Sequence, residues 1–524
     1  LGSGSDTFTI ASTHANTTTL NTSAGADTVT VNSTSGTTTL NAGNDNDTLN
    51  LRSMSGTLTV NGDAGNDTID INFDVLATGT LRVNGNDGND TIHARKVLDG
   101  ATTIYGDGGD DRTYLYPNSG FVAVYDSGGS LDELNFTNFT NRLRFTISAT
   151  EVNVALGSAP LLVTHFGNTI ERLVGSSDND TFTFTDGATL VNRTGRIDGY
   201  GGTADLINYA AYTTGITVTL EGAATGLANV TNIENVNGGS GDDVITGNAN
   251  GNVLFGGNGN DTLSGLGGDD WYLFSDGWGA DTVIELSGAS DVISFYAYTG
   301  DTINSAATPV TGDLEVKLSD SGTYNTVTNL TAPANTLNFS AREIEYVFGG
   351  VGADSLYTLN QNSAFNIDGV IVDTDPLFTT LNRPTMVAAT DRNTYTALVE
   401  NYVLEFANFE RIYAGTQTDT ITLVEAVQRY IIRGGAGDDR LIFNNGAQLG
   451  GAAINGQPIS FDGQGGSDTL DYSPYTTAIA VNLSIGQATA VNGAAINSVI
   501  NIENVTGGSG NDTLLGDQGN NVLA

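Results

Sequence analysis

A recurring aspartate limits how this chain can fold more than any other feature. Asp6, Asp27, Asp47, Asp67, Asp90 and Asp111 follow one another at intervals of 21, 20, 20, 23 and 21 residues. Most are followed by Thr and then by apolar residues two apart (Val29 and Val31, Leu49 and Leu51, Ile69 and Ile71), the alternation of a half-buried strand. Seven residues before each later aspartate stands another apolar residue, Leu20, Leu40, Val60, Val83 or Ile104. A glycine usually precedes it by four (Gly36, Gly56, Gly79, Gly100), marking a second strand per coil. A two-strand coil cannot bury its own apolar face, whereas coils stacked at roughly 4.8 Å enclose a continuous narrow core. The period therefore predicts a solenoid stabilised by stacking. With 68 glycines and only 8 prolines, the chain has many residues suited to tight turns and few chain breakers.

Between Gly238 and Leu273 the period shortens to nine, as GGSGDDVIT, GNANGNVLF, GGNGNDTLS and GLGGDDWYL run without a gap; GGSGNDTLL and GDQGNNVLA are the last two units of the sequence. These units fit GGxGxDxUx, with U a large apolar residue, and by them the chain resembles the repeat-in-toxin (RTX) calcium-binding family. Four consecutive units in register make that resemblance specific. Looser copies at Gly349 to Asp354, Gly434 to Asp439 and Gly463 to Asp468 extend it, and 301–348 and 355–433 are poorly described by it. The resemblance implies an all-β fold, a parallel β-roll or β-helix solenoid with calcium-binding turns. It implies carboxylate ligands at the sixth residue of each unit, Asp243, Asp261, Asp270 and Asp512, with help from Asp439 and Asp354. Carbonyl ligands would come from turn glycines such as Gly239, Gly241, Gly257 and Gly259. Asn252 and Asn521 stand where that aspartate should be, and an amide oxygen can ligate but brings no charge. Asp67, Asp90, Asp111, Asp180 and Asp468 are candidate ligands in turns outside the tight repeat.

A larger duplication overlies the small one. DLINYAAYTTGITVTL from Asp205 recurs as DTLDYSPYTTAIAVNL from Asp468, and NIENVNGGSGDD from Asn232 recurs as NIENVTGGSGND from Asn501. Glu171, Glu234, Glu345, Glu410 and Glu503 each precede an aspartate by nine residues, half a coil, so each occupies the place of an aspartate in the preceding half-turn. For these glutamates a structural hydrogen bond is favoured over ligation. The periodicities divide the chain into a solenoid over 1–125, an irregular β module over 126–237, a nonapeptide roll with its closing segment over 238–300, irregular modules over 301–433 and a second RTX-like module over 434–524.

Calcium is also what the composition calls for. Lys+Arg 18 against Asp+Glu 59 gives a formal charge of −41, which argues against nucleic acid and anionic membrane as partners. Turn carboxylates one strand spacing apart repel by on the order of 1 kcal/mol or more per pair, and a dication turns that repulsion into attraction. Cysteine is absent and histidines number 3, so thiolate zinc sites and disulfides are excluded and oxygen is the abundant ligand type. Ca²⁺ accepts six to eight hard oxygens in flexible geometry, whereas Mg²⁺ demands a strict octahedron. No apolar stretch approaches the roughly 18 residues of a membrane span, so membrane insertion is not expected. No leader precedes the first repeat, and the expectation is a segment of a longer secreted polypeptide.

Asn-Asp-Thr at Asn66, Asn89, Asn179, Asn260 and Asn511 fits a glycosylation acceptor, but the turn-to-strand junction generates that triplet by itself. His14, His93 and His165 lie in different repeats and nominate no catalytic cluster, so no enzyme activity is expected of these residues. Trp271, Tyr272 and Trp278 read as bulky residues closing a roll. The function expected is that of an extracellular structural protein of a surface layer, filament or large adhesin, self-associating into a fibre or layer, with a cell-surface glycan as a candidate ligand. The alternative is the calcium-binding carrier region of a secreted protease, lipase or epimerase.

Overall fold

The computed structural model describes residues 2–73, 78–97, 101–117, 120–157, 159–191, 194–286, 291–295, 310, 314–317, 324–340, 346–348, 355–357, 366–368, 405–407, 411–413, 418, 420–423, 426–428, 431–450 and 460–524. Short strands joined by turns make up nearly all of them, in two compact units, Leu1–Asn248 and Ala249–Ala524.

In the first unit the predicted solenoid forms. Thr7–Ile10, Thr28–Val31, Thr48–Leu51, Thr68–Asn72, Thr91–Lys96 and Arg112–Leu115 pair in parallel, with Val29 beside Leu49 and Leu49 beside Ile69. The sheet continues through Glu133–Asn135, Arg172–Val174, Arg196–Asp198 and Asn229–Thr231. The second strand of each coil builds the other face: Thr17–Asn21, Thr37–Asn41, Ser55–Ala64, Thr78–Asp87, Thr102–Gly108 and Val122–Tyr125, again parallel. Val29, Leu49, Ile69 and Ile92 from one face and Leu40, Val60, Val83 and Ile104 from the other are fully buried. Each such side chain contributes about 1.5–3 kcal/mol when covered, and it is covered only when the neighbouring coils are in place.

The 20-residue step ends at Asp132. Between it and Glu171 the chain adds an antiparallel hairpin pair, Leu143–Ile147, Glu151–Leu156 and Leu161–Phe166, before Leu161–Phe166 rejoins the stack parallel to Val122–Tyr125. Tyr105, Tyr125 and Phe166 stack at 4.9 Å per step along this face. The buried His165 is part of this packing, whereas the stacked pair His93–Tyr114 lies on neighbouring strands of the other sheet.

In the second unit the parallel pattern recurs. Val253–Phe255, Trp271–Leu273 and Val292–Ser294 form one ladder and Thr262–Ser264, Ala280–Val283 and Thr336–Ser340 another. Trp278 is fully buried against Phe274 and Phe295. Further on, Thr420–Leu423, Arg440–Phe443, Thr469–Asp471, Asn504–Thr506 and Val522–Leu523 stack in parallel over a core that includes Leu441, Leu470 and Val505.

The long sequence duplication folds twice in the same way. Tyr209 and Tyr212 meet edge to face at 5.2 Å, Tyr472 and Tyr475 at 5.5 Å. Tyr209 donates to the Thr225 carbonyl at 2.7 Å and Tyr472 to the Thr489 carbonyl at 2.6 Å, so each buried hydroxyl is satisfied by the chain crossing above it.

Candidate metal centres

The turn aspartates form a ladder. Oδ1 of Asp27 accepts the backbone N–H of Asp6 at 2.6 Å, and the same bond repeats from Asp27 to Asp47 (2.6 Å), Asp47 to Asp67 (2.7 Å), Asp67 to Asp90 (2.8 Å), Asp90 to Asp111 (2.7 Å) and Asp111 to Asp132 (2.7 Å). Each carboxylate thus holds the turn of the coil before it. The neighbouring position makes a second ladder of opposite sense: Asn46 accepts from Asn66, Asn66 from Asn89 and Asn89 from Asp110, at 2.7–2.9 Å. The asparagine of the Asn-Asp-Thr triplet is therefore a turn-stacking residue.

The other carboxylate oxygen has no such use. Oδ2 of Asp27, Asp47, Asp67, Asp90, Asp111, Asp132, Asp270 and Asp468 is buried without a hydrogen-bond partner. Its surroundings are oxygen-rich. A side-chain carbon added to Gly62 would fall 2.3 Å from Asp67 Oδ2 and 2.5 Å from the Gly85 carbonyl oxygen of the next coil. The same convergence occurs at Gly85 (Asp90 Oδ2 2.3 Å, Gly106 O 2.6 Å), Gly175 (Asp180 Oδ2 2.4 Å, Gly199 O 2.6 Å), Gly434 (Asp439 Oδ2 2.3 Å, Gly463 O 2.7 Å) and Gly463 (Asp468 Oδ2 2.4 Å, Asn501 O 2.1 Å). At Asp67, Asp90 and Asp468, where Oδ2 has no hydrogen-bond partner, two acceptors facing each other in a buried space need a proton or a cation between them.

Electrostatics point the same way. Burial lifts the carboxyls of Asp47, Asp90 and Asp468 from an ordinary 3.8 to about 6, those of Asp67 and Asp270 to about 7 and that of Asp111 to about 8, and neighbouring acids add to the rise at most of them. Asp70 shows the contrast. Burial opposes its charge too, but Arg52 at 2.9 Å and Arg95 at 2.6 Å hold its carboxyl below the ordinary value. Hard oxygens, surplus negative charge and adjoining backbone carbonyls are the donor set Ca²⁺ takes, so the residues present fit that ion.

The expected ligands fall into two groups. Asp67, Asp90, Asp111, Asp270 and Asp468 keep the bare Oδ2. Asp180, Asp243 and Asp512 instead use both oxygens on protein donors: Asp180 accepts from Ser176 and Leu143, Asp243 from Gly239 (2.7 Å) and Ile216 (2.8 Å), and Asp512 from Gly508 (2.8 Å) and Ile479 (3.0 Å). Asp261 and Asp439 extend the ladder, their N–H groups bonding Oδ1 of Asp281 and Asp468. Asn252 donates its N–H to Asp270 at 2.7 Å. Gly239 closes its own turn as a donor, Gly241 packs on the Thr214–Gly215 backbone, and Gly257 and Gly259 take positive φ of 100° and 127°. Asp354 lies outside the described residues, as do Glu345 and Glu410.

Three described glutamates replace an aspartate as the rung acceptor. Glu171 accepts from Asp132, Glu234 from Asp205 and Glu503 from Asp468, each at 2.8 Å. These rungs span 39, 29 and 35 residues of sequence, respectively. Two features had not been nominated from the sequence. The glycine that makes room for the carboxylate is the first of the nonapeptide, five residues before the Asp, as at Gly62, Gly256 and Gly265. Glu285 and Asp291 each bring an oxygen within 4.8 Å of the others and of one on Asp270. Asp291 was legible as the next 21-residue step after Asp270, and its Oδ1 takes the Asp270 N–H at 2.8 Å.

Comparison with protein families agrees with this geometry. The RTX calcium-binding nonapeptide repeat matches at four places, residues 59–70, 82–96, 237–272 and 431–447. Residues 459–524 match the C-terminal region of M10 serralysin peptidases. No curated protein matches the chain. The two earliest RTX matches contain Gly62 with Asp67 and Gly85 with Asp90, so those two coils carry the same repeat type as the tandem nonapeptides. The chain carries the calcium-binding nonapeptide repeat of the RTX family, and its cofactor is Ca²⁺.

Proposed function

We propose that this chain is a structural part of a secreted protein, working outside the cell in a surface layer, filament or large adhesin and made rigid there by calcium. The observation that supports it is the series of bare carboxylate oxygens facing carbonyls in successive coils. Asp67, Asp90, Asp111, Asp270 and Asp468 would hold the ions, with Asp439 in the Asp468 ladder, Asp261 in the one it forms with Asp281, and carbonyls of Gly85, Gly106 and Gly463 beside them. Bound Ca²⁺ supplies the positive charge that lets these acids remain ionised while buried. The chain's own part is to hold the coils in register through the Oδ1 ladder, leaving Oδ2 for the ion. A stack that needs the metal to close stays loose where calcium is scarce and sets where it is abundant, because metal-binding free energy is folding free energy.

A second reading has its own support. The serralysin-type match over 459–524 favours a calcium-binding carrier region of a secreted enzyme. Sedimentation of the purified chain separates the two. A surface-layer or filament component self-associates in millimolar calcium and disperses in EGTA. A carrier region stays monomeric in both, and that result would overturn the structural role.

A further inference from the structure

Where the regular ladder ends, the acids change their arrangement. Tyr105 pairs with Asn84 in the coil before and with Tyr125 in the coil after, which puts Asp126 beside Gly106. The preceding coils place glycine at this point, Gly62 and Gly85, each lending a carbonyl or a cradle to an aspartate Oδ2. At Gly106 the partner is a carboxylate instead. A side-chain carbon there would fall 2.6 Å from Asp111 Oδ2 and equally 2.6 Å from Asp126 Oδ2. Asp132 completes the group, one oxygen from each of Asp111, Asp126 and Asp132 lying within 4.8 Å of the other two.

The cluster is built into the fold. Asp111 is 3% and Asp132 0% exposed, and Oδ2 of both lacks a hydrogen-bond partner. Their Oδ1 atoms are committed, Asp111 to the Asp90 N–H and Asp132 to the Asp111 N–H, so neither carboxylate can rotate away. Asp126 accepts from Gly128 N–H at 3.3 Å through Oδ1, which leaves Oδ2 toward Gly106. The surrounding charges are mostly negative: Asp107 and Glu171 both act on Asp126, and Arg82 is the cation that acts on Asp107. None of Asp111, Asp126 or Asp132 lies in a matched nonapeptide, since those matches stop at 96 and resume at 237.

We infer that Asp111, Asp126 and Asp132 form a three-carboxylate site for a hard divalent cation, Ca²⁺ above Mg²⁺, that lies outside the nonapeptide repeats and closes the N-terminal ladder. With carboxylates on three sides the site carries more negative charge than the aspartate–carbonyl turns beside it, and it should fill at lower calcium. It fixes the turn from which the hairpin insertion leaves the stack.

Hydrogen exchange of the full chain across a calcium titration tests this, read in peptides containing Gly106–Asp111 and Val122–Asp132 and, as internal reference, Gly238–Leu273. Asp126→Asn keeps the Gly128 acceptor and removes one charge; Asp126→Ser is the second variant should the first not fold. The wild type should gain protection at Gly106–Asp132 at lower calcium than at Gly238–Leu273. Either variant should need at least about tenfold more calcium for half-protection at Gly106–Asp132, with the reference peptides unchanged. Calcium protection confined to Gly238–Leu273 in the wild type overturns the site and leaves the nonapeptide reading intact. Wild-type protection retained in the variants overturns the site as well. Protection nowhere overturns both.

Discussion

Asp67 separates the two functions of a ladder carboxylate. Its Oδ1 holds the buried N–H of Asp47 at 2.7 Å, and its Oδ2 faces the Gly85 carbonyl across the space that Gly62 leaves open. Asp67→Ala removes both, and the orphaned Asp47 N–H costs about 1–3 kcal/mol. Asp67→Asn keeps the Oδ1 acceptor and puts an N–H₂ donor where Oδ2 met the carbonyl, so in EGTA at pH 7 the asparagine chain should be at least as stable as the wild type. In millimolar calcium the order changes. Asn supplies no charge to the ion, and a tenfold loss of affinity there corresponds to about 1.4 kcal/mol of lost stabilisation. Urea unfolding of wild type and both variants followed by far-UV circular dichroism, in EGTA and in calcium, reads all six values. If Asn and Ala destabilise equally in EGTA, Oδ1 is not the rung that holds the coil. If calcium stabilises Asp67→Asn as much as wild type, Oδ2 is not a ligand.

The raised carboxyls give a pH signature. In the ion-free fold Asp47, Asp67 and Asp111 hold their protons to about 6, 7 and 8, above the ordinary 3.8, so the protonated fold is favoured at low pH. Stability in EGTA should therefore fall as pH rises from about 4 to 8, and calcium addition within that window should release protons measurable by pH-stat; a melting temperature in EGTA that rises over that range would refute this. Gly85→Ala places a methyl 2.3 Å from Asp90 Oδ2 and 2.6 Å from Gly106 O. It should destabilise by about 1–3 kcal/mol and weaken calcium binding, measured by calorimetric titration. Tyr209→Phe and Tyr472→Phe each strand one carbonyl, Thr225 or Thr489, and should cost about 0.5–1.5 kcal/mol apiece in urea unfolding, by similar amounts because the two copies are built alike.

Much of this was readable from residue spacing. The 20-residue step fixed the strand register, because Thr28, Thr48 and Thr68 must align if the aspartates before them do. The duplication likewise announced two matching Tyr pairs. What spacing could not separate was the fate of individual carboxylates. Asp67 and Asp243 occupy the same repeat position, yet one keeps a bare oxygen while the other is taken up by Gly239 and Ile216 N–H groups. That difference turns on the residue four before the aspartate: Gly239 gives its N–H to Asp243 Oδ2, whereas Asp63 gives its own to Asn86 of the next coil. Asp126 was illegible for a different reason. It belongs to no repeat, and only the pairing of Tyr105 with Tyr125 brings it to Gly106.

Reversible removal of calcium tests the central claim most directly. The far-UV circular dichroism of the purified chain at pH 7 should lose part of its β-signal and melt at a lower temperature when EGTA is added, and recover both with Ca²⁺ but not with equimolar Mg²⁺. A β-signal and melting temperature that are the same with and without the ion would mean that the stacked carboxylates are neutralised some other way, and that calcium does not hold the coils together.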